Sequence, residues 1–392
     1  MANESQWLTD APVVEVGGQR QWVLAWWTQL LYALLFGSVV AVAVLGNALV
    51  VWVVLAHRSM RTTTNCFLVN LSLADAMTAT FNAVFNLVYM LESHWAFGLL
   101  YCIFSNFLAN LTLASSAFTI TAMSIDRYFA IVRPLCGRPR RRRAVVTLCA
   151  VWSGSALLSL PTLLYSRTRS YRYGDHSVRT VCLLVWPDGL LHGSFADYVY
   201  NILFLALTYA VPVFTMVVTY SRMSWVLWGS RCIGEFTEHQ QIALRNKQKV
   251  VKMLLTVVIL FTVSWLPYHA YFIYLFHHPG AAYADCIQHV YLAMYWLAMA
   301  HTTYNPIVYY CMNQRFKRYF RRFLCCCMRS LEPGDERQYS LAHSRFSVAS
   351  RTRSLHLNSK EKARDENTVN HVRISRSVPL SSTTTEQTRV HM

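Results

Sequence analysis

The stretch Leu99–Tyr128, LLYCIFSNFLANLTLASSAFTITAMSIDRY, carries no charged residue until Asp126. A helix needs about 20 apolar residues to cross about 30 Å of hydrocarbon. A soluble core helix would be shorter and would keep a polar face. This run is long enough, and its first charges, Asp126 and Arg127, arrive together at one end. The same pattern recurs along the chain. Leu30–Ala56 and Ala144–Ser166 are uncharged, and so is Tyr198–Ser221, whose apolar run continues past Arg222 to Trp228. Cys66–Leu91 holds one ionisable group, Asp75; Val257–Phe276 holds only His269; Cys286–Asn313 holds only His289 and His301. These runs predict seven membrane helices, an all-α membrane protein built as a seven-helix bundle.

Composition agrees. Charged residues are 14% of the 392, hydrophobic residues 54%, and the formal net charge is +17. Soluble domains run at about 25% charged. A chain this apolar and this basic must segregate the two properties. That excludes a disordered acidic protein, a collagen-like fibre and a small disulfide scaffold.

The basic residues then give the orientation. One set of connections holds Arg58, Arg61, Arg133, Arg138, Arg140 to Arg143, Arg231, Arg245, Lys247, Lys249, Arg315, Lys317, Arg318, Arg321 and Arg322. The other set holds only Arg20, Arg167, Arg169, Arg172 and Arg179. The positive-inside rule places the richer set in the cytosol. The expected topology is an extracellular N-terminus and a cytoplasmic C-terminus in a multi-pass plasma-membrane protein. The surplus charge thus reports topology and lipid contact, not a nucleic-acid partner. No cleaved signal peptide is expected, because the first apolar run starts late and is too long. Trp22, Trp26 and Trp27 suit an aromatic belt at its outer end. Asn3-Glu4-Ser5 is an N-glycosylation sequon on the outer side. The external tail of about 26 residues is too short for a binding domain, so recognition falls to the bundle and its outer loops.

Polar residues at membrane depth are few. Burying Asp75 costs about 2.5–3.5 kcal/mol on insertion scales. It is expected to form a hydrogen-bond hub with Asn47 and Asn305; an ion or switch role stays open. Asn70 and Ser116 are further interior polar groups that can tie helices together. In Asp126-Arg127-Tyr128, interfacial snorkelling of the Arg is one reading. An Arg held by its neighbour until a partner needs it is the other. Pro161, Pro212, Pro267 and Pro306 each break a helix ladder, and four kinked helices suit an outer cavity with hinged segments.

Among the cysteines, Cys102 and Cys182 fall on the oxidising side. A bridge between them would close a loop of about 80 residues, for at most about 4–5 kcal/mol on a chain-entropy account. Cys286 also lies near the outer face. Cys325-Cys326-Cys327 follow a short basic amphipathic stretch, the pattern of an interfacial helix ended by S-palmitoylated cysteines. From about Met328 the composition turns to Ser, Thr and charge, a disordered tail with phosphorylation sites among Ser344, Ser347, Ser350, Thr352 and Ser354.

Together these residues resemble the rhodopsin-like (class A) G-protein-coupled receptors over about residues 28–326. The motifs recur in order on the expected helices: Gly46-Asn47 with Val50; Leu71-Ser72-Leu73-Ala74-Asp75; Cys102 and Asp126-Arg127-Tyr128; Trp152; Pro212 and Tyr220; Trp265-Leu266-Pro267; Asn305-Pro306 to Tyr309. Within that family the chain resembles tachykinin (neurokinin-type) peptide receptors. Phe67-Leu68-Val69-Asn70-Leu71, Val181-Cys182 with Trp186-Pro187, and Val290 to Met299 carry that likeness. Val226-Leu227-Trp228-Gly229-Ser230-Arg231 is similar to the arthropod branch, whose ligands are tachykinin-related or natalisin-type amidated peptides. A class A receptor for another neuropeptide, neuropeptide Y-like or RFamide-like, is the alternative.

The resemblance implies a domain plan: an extracellular tail over 1–27, the bundle over 28–312, an amphipathic helix with palmitoylation over 313–327, and a cytoplasmic tail over 328–392. It implies a peptide pocket in which Asn82 and Asn86 bond the ligand's amidated C-terminus, lined by Tyr268, His269, Phe272 and Tyr291. An amide can both donate to and accept from a carboxamide. It implies an activation switch made of Asp75, Asp126, Arg127, Tyr128, Tyr220, Trp265, Pro267, Asn305, Pro306 and Tyr309, and a Cys102–Cys182 disulfide. The implied partners are an amidated neuropeptide and a heterotrimeric G protein of the Gq class, with arrestin and receptor kinases at the tail. No cofactor, metal or enzymatic activity is implied. An Arg-amide ligand would need a carboxylate, and Glu92, Asp197 and Asp285 are the rim candidates. Ser105, Thr162 and Asn201 depart from the bulkier polar residues of vertebrate members. Lys247 stands near where some relatives carry an acid that pairs with the Arg127 position.

The rivals from other classes are weaker. A retinal-binding opsin needs a Lys in the last span, and Cys286–Asn313 has none. A transporter would show paired broken helices and more intramembrane charge. A membrane enzyme would gather His and Asp at one depth.

Overall fold

The computed structural model describes residues 14–16, 24–133, 140–174, 176–189, 194–229, 238–278, 280–281 and 286–326. Asn3, Cys327, Asp285 and the Ser/Thr-rich tail lie outside them. Seven long helices follow in order: α1 Trp26–Ala56, α2 Thr63–Glu92, α3 Gly98–Val132, α4 Arg140–Tyr165, α5 Phe195–Gly229, α6 Glu238–His277 and α7 Ile287–Met312. A short α8, Gln314–Cys326, ends in Cys325 and Cys326. The chain divides into the compact unit Met1–Phe323 and the unit Leu324–Met392.

Six helices, α1 to α6, are long and apolar enough to cross a membrane. The seventh has 26 residues but is less apolar, because Gln288, His289, His301, Thr302, Thr303 and Asn305 interrupt it. Four of these six, His301, Thr302, Thr303 and Asn305, are buried, so the polar groups point into the bundle. The whole molecule shows this inversion. Leu34, Leu45, Leu100, Leu157 and Phe214 stand well exposed, while Asn47, Ser72, Asp75, Ser115 and Ser124 are fully buried. An apolar outside around polar contacts is what a hydrocarbon solvent selects.

Helix α3 is the central post. It packs against α2, α4 and α5, while α7 closes the ring by packing on α1 and α6. Hydrogen bonds stitch the α2–α3–α4 sector. Trp152 Nε1 donates to Asn70 Oδ1 at 2.7 Å, Asn70 Nδ2 donates to Thr119 Oγ1 at 2.8 Å, and Thr78 donates to Thr112 Oγ1 at 2.8 Å. Thr62 caps α2 by accepting from the Asn65 amide.

Three features were not legible from charge counting. Helix α6 starts well before Val257, because Arg245, Lys247, Lys249 and Lys252 ride on the helix itself. Wide π turns interrupt α2 at Ala79–Ala83 and α5 at Ala206–Ala210. The second lies just ahead of Pro212, where the missing N–H and the ring's clash with the preceding turn favour a widened ladder. The long outer connection is not an irregular loop. Ser166–Tyr173 (β2) and Val178–Leu184 (β3) form an antiparallel hairpin, and Val14–Val16 (β1) pairs parallel to β2, giving the order β1-β2-β3. Thr, Tyr and Val in alternation suit a pleated surface.

The disulfide expected between Cys102 and Cys182 is formed, with Cα atoms 5.7 Å apart, and it fastens β3 to the start of α3. The connection between α2 and α3 adds two more anchors. The Thr180 amide donates to His94 Nδ1 at 3.2 Å, and the Trp95 amide donates to the Thr180 carbonyl at 2.9 Å.

Helices α1 and α7 meet at a point that admits no side chain. A Cβ on Gly46 would lie 2.9 Å from Pro306 Cγ and 3.0 Å from its Cβ. Gly46→Ala should therefore destabilise the folded protein by about 1–3 kcal/mol through overpacking. Thermal unfolding in detergent reads this as a lower midpoint. Gly37→Ala, with nothing within 4 Å, serves as the control and should not lower it.

Candidate functional site

A cavity of about 400 Å³ opens between α2, α3, α5, α6 and α7 at the end of the bundle that carries the hairpin. That volume is in the range of pockets that take small ligands or the end of a peptide. All six expected ligand contacts line it: Asn82, Asn86, Tyr268, His269, Phe272 and Tyr291. The π turn of α2 contains Asn82, which is 4% exposed and accepts a hydrogen bond from Tyr295 Oη at 2.9 Å. Asn86 lines the same cavity four residues on. Tyr295, which the sequence reading did not single out, lines it as well.

The α6–α7 wall is aromatic. Tyr268 lies 4.8 Å from Phe272, Tyr291 stacks on Tyr295 at 5.8 Å, and Tyr209 and Trp265 flank His269 at 5.1 and 5.9 Å. The α3–α5 wall is amide-rich. Asn110 Nδ2 donates to Tyr200 Oη at 2.9 Å, and Asn106 Nδ2 donates to Ser166 Oγ at 3.0 Å. Asn110 is therefore an interior helical residue. Thr162 and Asn201 also line the cavity, whereas Ser105 is buried and is not among the lining residues. Of the three rim acids, Asp197 lines the cavity and Glu92 does not.

The segment that leads from β3 into α5 is held by its own side chains. Ser194 Oγ accepts from the Asp197 amide at 2.9 Å and donates to Asp188 Oδ1 at 2.6 Å. The Ala196 amide donates to Asp188 Oδ2 at 2.9 Å. The Ser194 bond, then the Ala196 amide, hold the Asp188 carboxyl below its usual range. Trp186, packed on Tyr165 and Tyr200, donates from Nε1 to Asp197 Oδ1 at 2.7 Å.

Trp265 is a buried lining residue, and its indole N–H finds no hydrogen-bond partner among the described residues. Its ring is 5.2 Å from that of His301, also among the lining residues. His301 Nε2 lies 3.6 Å from Asp75 Oδ1, while Asn305 Nδ2 donates to Asp75 Oδ2 at 2.6 Å and Ser116 Oγ to Oδ1 at 3.3 Å. The hub expected around Asp75 is therefore present with one correction. Asn47 does not reach the carboxylate; it donates to the Thr302 carbonyl at 2.8 Å, joining the hub through the α7 backbone. By resemblance His301 stands beside Asp75 and Ser116, where many relatives carry a small polar residue, and its ring faces that carboxylate. No group of three His, Cys, Asp or Glu residues able to hold a metal occurs among the described residues.

At the opposite end of α3, Arg127 is held by Asp126, with Nη2 at 2.5 Å and Nε at 3.1 Å from Oδ2. Tyr128 packs edge-on against Phe129. Ser124 Oγ donates to Tyr220 Oη at 3.2 Å. Tyr309 is fully buried, packs on Phe316 of α8, and its hydroxyl has no partner among the described residues. Pro267 and Pro306 lie inside α6 and α7. The sole ion pair of Arg127 among the described residues is with its own neighbour.

The residues 46–309 match the family model of the seven-transmembrane receptors of the rhodopsin family. The chain is 47% identical to the tachykinin-like peptides receptor 86C of Drosophila melanogaster over 79% of this chain and 61% of that one. It is 46% identical to the tachykinin-like peptides receptor 99D of the same organism, over 81% and 62%. It is 40% identical to the neuromedin-K receptor of Rattus norvegicus, over 81% and 69%. The chain thus spans about three fifths of the length of the two Drosophila receptors. A bundle with an outer cavity, a buried carboxylate hub and an Asp-Arg-Tyr end, matched over residues 46–309, belongs to the rhodopsin family of seven-transmembrane receptors, and within it to the tachykinin-receptor group.

Proposed function

We propose that this chain is a receptor for an amidated tachykinin-like neuropeptide, signalling through a heterotrimeric G protein of the Gq class and calcium release. One observation carries the reading. The cavity is bounded by Trp265, which touches His301, which faces Asp75, which binds Asn305 of the Asn305-Pro306 break. Ligand contacts and the hinge of α7 are thus linked by touching side chains. The peptide's terminal carboxamide is assigned to Asn82 and Asn86, and its apolar side chains to Tyr268, His269, Phe272 and Tyr291. The names of the Drosophila relatives support the ligand class.

Binding selects the bundle state in which the inner end of α6 swings out about Pro267. Trp265, Tyr220, Tyr309 and Arg127 rearrange, and Arg127 leaves Asp126 for the G protein. The N-terminus with its Asn3 sequon is extracellular. The C-terminus is cytoplasmic, with lipid anchors at Cys325, Cys326 and Cys327 and a tail read by receptor kinases and arrestin. The intended boundaries are 1–27, 28–312, 313–327 and 328–392.

Cells expressing the chain should release calcium on exposure to tachykinin-related or natalisin-type amidated peptides. Silence to every such peptide at normal surface expression would overturn the assignment. Asn82→Ala and Asn86→Ala should each raise the half-effective concentration roughly 3–10-fold, the worth of one neutral hydrogen bond. Free-acid peptides should lose the difference between wild type and these variants. Asp126→Asn, which frees Arg127, should raise ligand-independent signalling about 2–5-fold, as expected for one partly exposed ion pair. An unchanged basal signal would show that the pair does not hold the resting state.

A further inference from the structure

Away from the cavity, at the end of the bundle opposite the hairpin, the first turns of α6 carry an ordered set of cations. Arg245, Lys249 and Lys252 are exposed and lie four and three residues apart, so they share one face of the helix. Seven residues on from Lys252 the same face reaches Ile259, then Val263 and Leu266 at steps of four and three. These three are more than half exposed, in a helix long and apolar enough to cross a membrane. In a bilayer they face lipid. One stripe of α6 therefore turns from apolar to cationic while facing the membrane throughout. Lys252 precedes the apolar run that starts at Val257 by five residues. That is about 7.5 Å along the axis, which puts its ammonium at the level of the headgroups.

Helix α5 supplies the neighbouring wall. Its last turn, the wide turn Trp225–Gly229, carries Trp225 and Trp228, both exposed. Tryptophan at this level is what a membrane interface selects. Lys252 Nζ stands over the Trp228 ring at 5.9 Å, and Gln248 Nε2 ties the two helices by donating to the Leu227 carbonyl at 3.1 Å. The ring face holds the ammonium without cancelling its charge. Lys249 and Lys252 make no ion pair among the described residues, and the one acid of α6, Glu238, lies seven residues beyond Arg245. The positive-inside rule explains why cations follow a span, but not why three of them lie on the face that Ile259 and Val263 turn to lipid. Lys247, exposed on another face, would satisfy that rule equally. A protein segment could meet the cations alone. A ligand that meets both halves of the stripe must carry a phosphate on acyl chains.

We propose that Lys249 and Lys252, beside Trp228, form a site for an anionic phospholipid, with its phosphate between the two ammoniums and its chains along Ile259 and Val263. The inference rests on the chain spanning a membrane and is independent of the peptide assignment. The test uses the full chain purified in detergent and titrated with phosphatidylserine, phosphatidylcholine or soluble glycerophosphoserine, with bound lipid counted by native mass spectrometry. Phosphatidylserine should bind the wild type at least about tenfold more tightly than phosphatidylcholine. Lys249→Gln and Lys252→Gln should each weaken it roughly fivefold, and together about 20–30-fold. Lys252→Arg, which keeps the charge, should retain binding, and Lys247→Gln should change it less than about twofold. A photoactivatable phosphatidylserine in phosphatidylcholine nanodiscs should label the wild type between residues 245 and 266.

The idea fails if the double variant binds phosphatidylserine as the Lys247→Gln control does, since the charges then act without a site. It fails if the label falls only outside residues 245–266, a result that needs no variant to fold. Soluble glycerophosphoserine that binds as tightly as the lipid would make this a phosphate site and overturn the lipid assignment. A double variant that keeps its lipid but loses G-protein coupling would give the stripe to a protein partner instead.

Discussion

The carboxylate of Asp75 is fully buried, and the arrangement of α7 depends on how it is satisfied. In hydrocarbon a lone carboxylate has no water to turn to, so its partners must come from other helices. Ser116 supplies one from α3, and Asn305 and His301 supply two from α7. To bring Asn305 and His301 to the same carboxylate, α7 must present both on one face, four residues apart. Pro306 follows Asn305 directly, and Gly46 of α1 makes room for its ring. One buried carboxylate therefore bears on which face of α7 turns inward, and the Pro306 that follows Asn305 limits what α1 can carry opposite it.

This explains why the core holds so many small polar side chains. Between helices in lipid there is little hydrophobic drive, because the lipid is as apolar as leucine. Specific contacts must do the selecting. Asn70 joins α2 to α3 and α4, Asn47 joins α1 to the α7 backbone, and Tyr295 joins α7 to α2. Each is a directed bond that one register satisfies, so together they specify one bundle while adding only modest energy singly.

Much of this was readable in the chain. A span needs only length and apolarity, so Leu99–Ile125 or Leu30–Ala56 declares itself without neighbours. Asp75 and Asn305 stand out because a polar group at that depth needs a reason. Residues whose role depends on a partner far away in sequence were harder. His301 was placed beside Asp75 only by resemblance, since a lone His in an apolar span gives no sign of what it faces. Tyr295 is one aromatic among many until it is found bonded to Asn82. The hairpin escaped notice because its alternation of Arg with Thr, Ser and Tyr reads as a polar connection. The inner extension of α6 escaped for the opposite reason. A charge marks the end of a membrane span but not the end of a helix.

The two ends of the bundle are held with unequal strength, and that inequality suits a switch. The end that carries the hairpin has a disulfide, a three-stranded sheet and the His94 and Trp95 anchors. The opposite end of α3 has the neighbour pair of Arg127 with Asp126 and one hydroxyl bond from Ser124 to Tyr220. Contacts of that kind are worth about 0.5–1.5 kcal/mol each, so losing them separates two states by only a few kcal/mol. Moving a two-state population from 1:99 to 99:1 takes about 5.5 kcal/mol of differential binding. A peptide that makes several new bonds in a rigid outer cavity can supply that much. On the proposed reading, the rigid end would keep its shape while the loosely held end moved, and the energy of recognition would appear as motion where Arg127 sits.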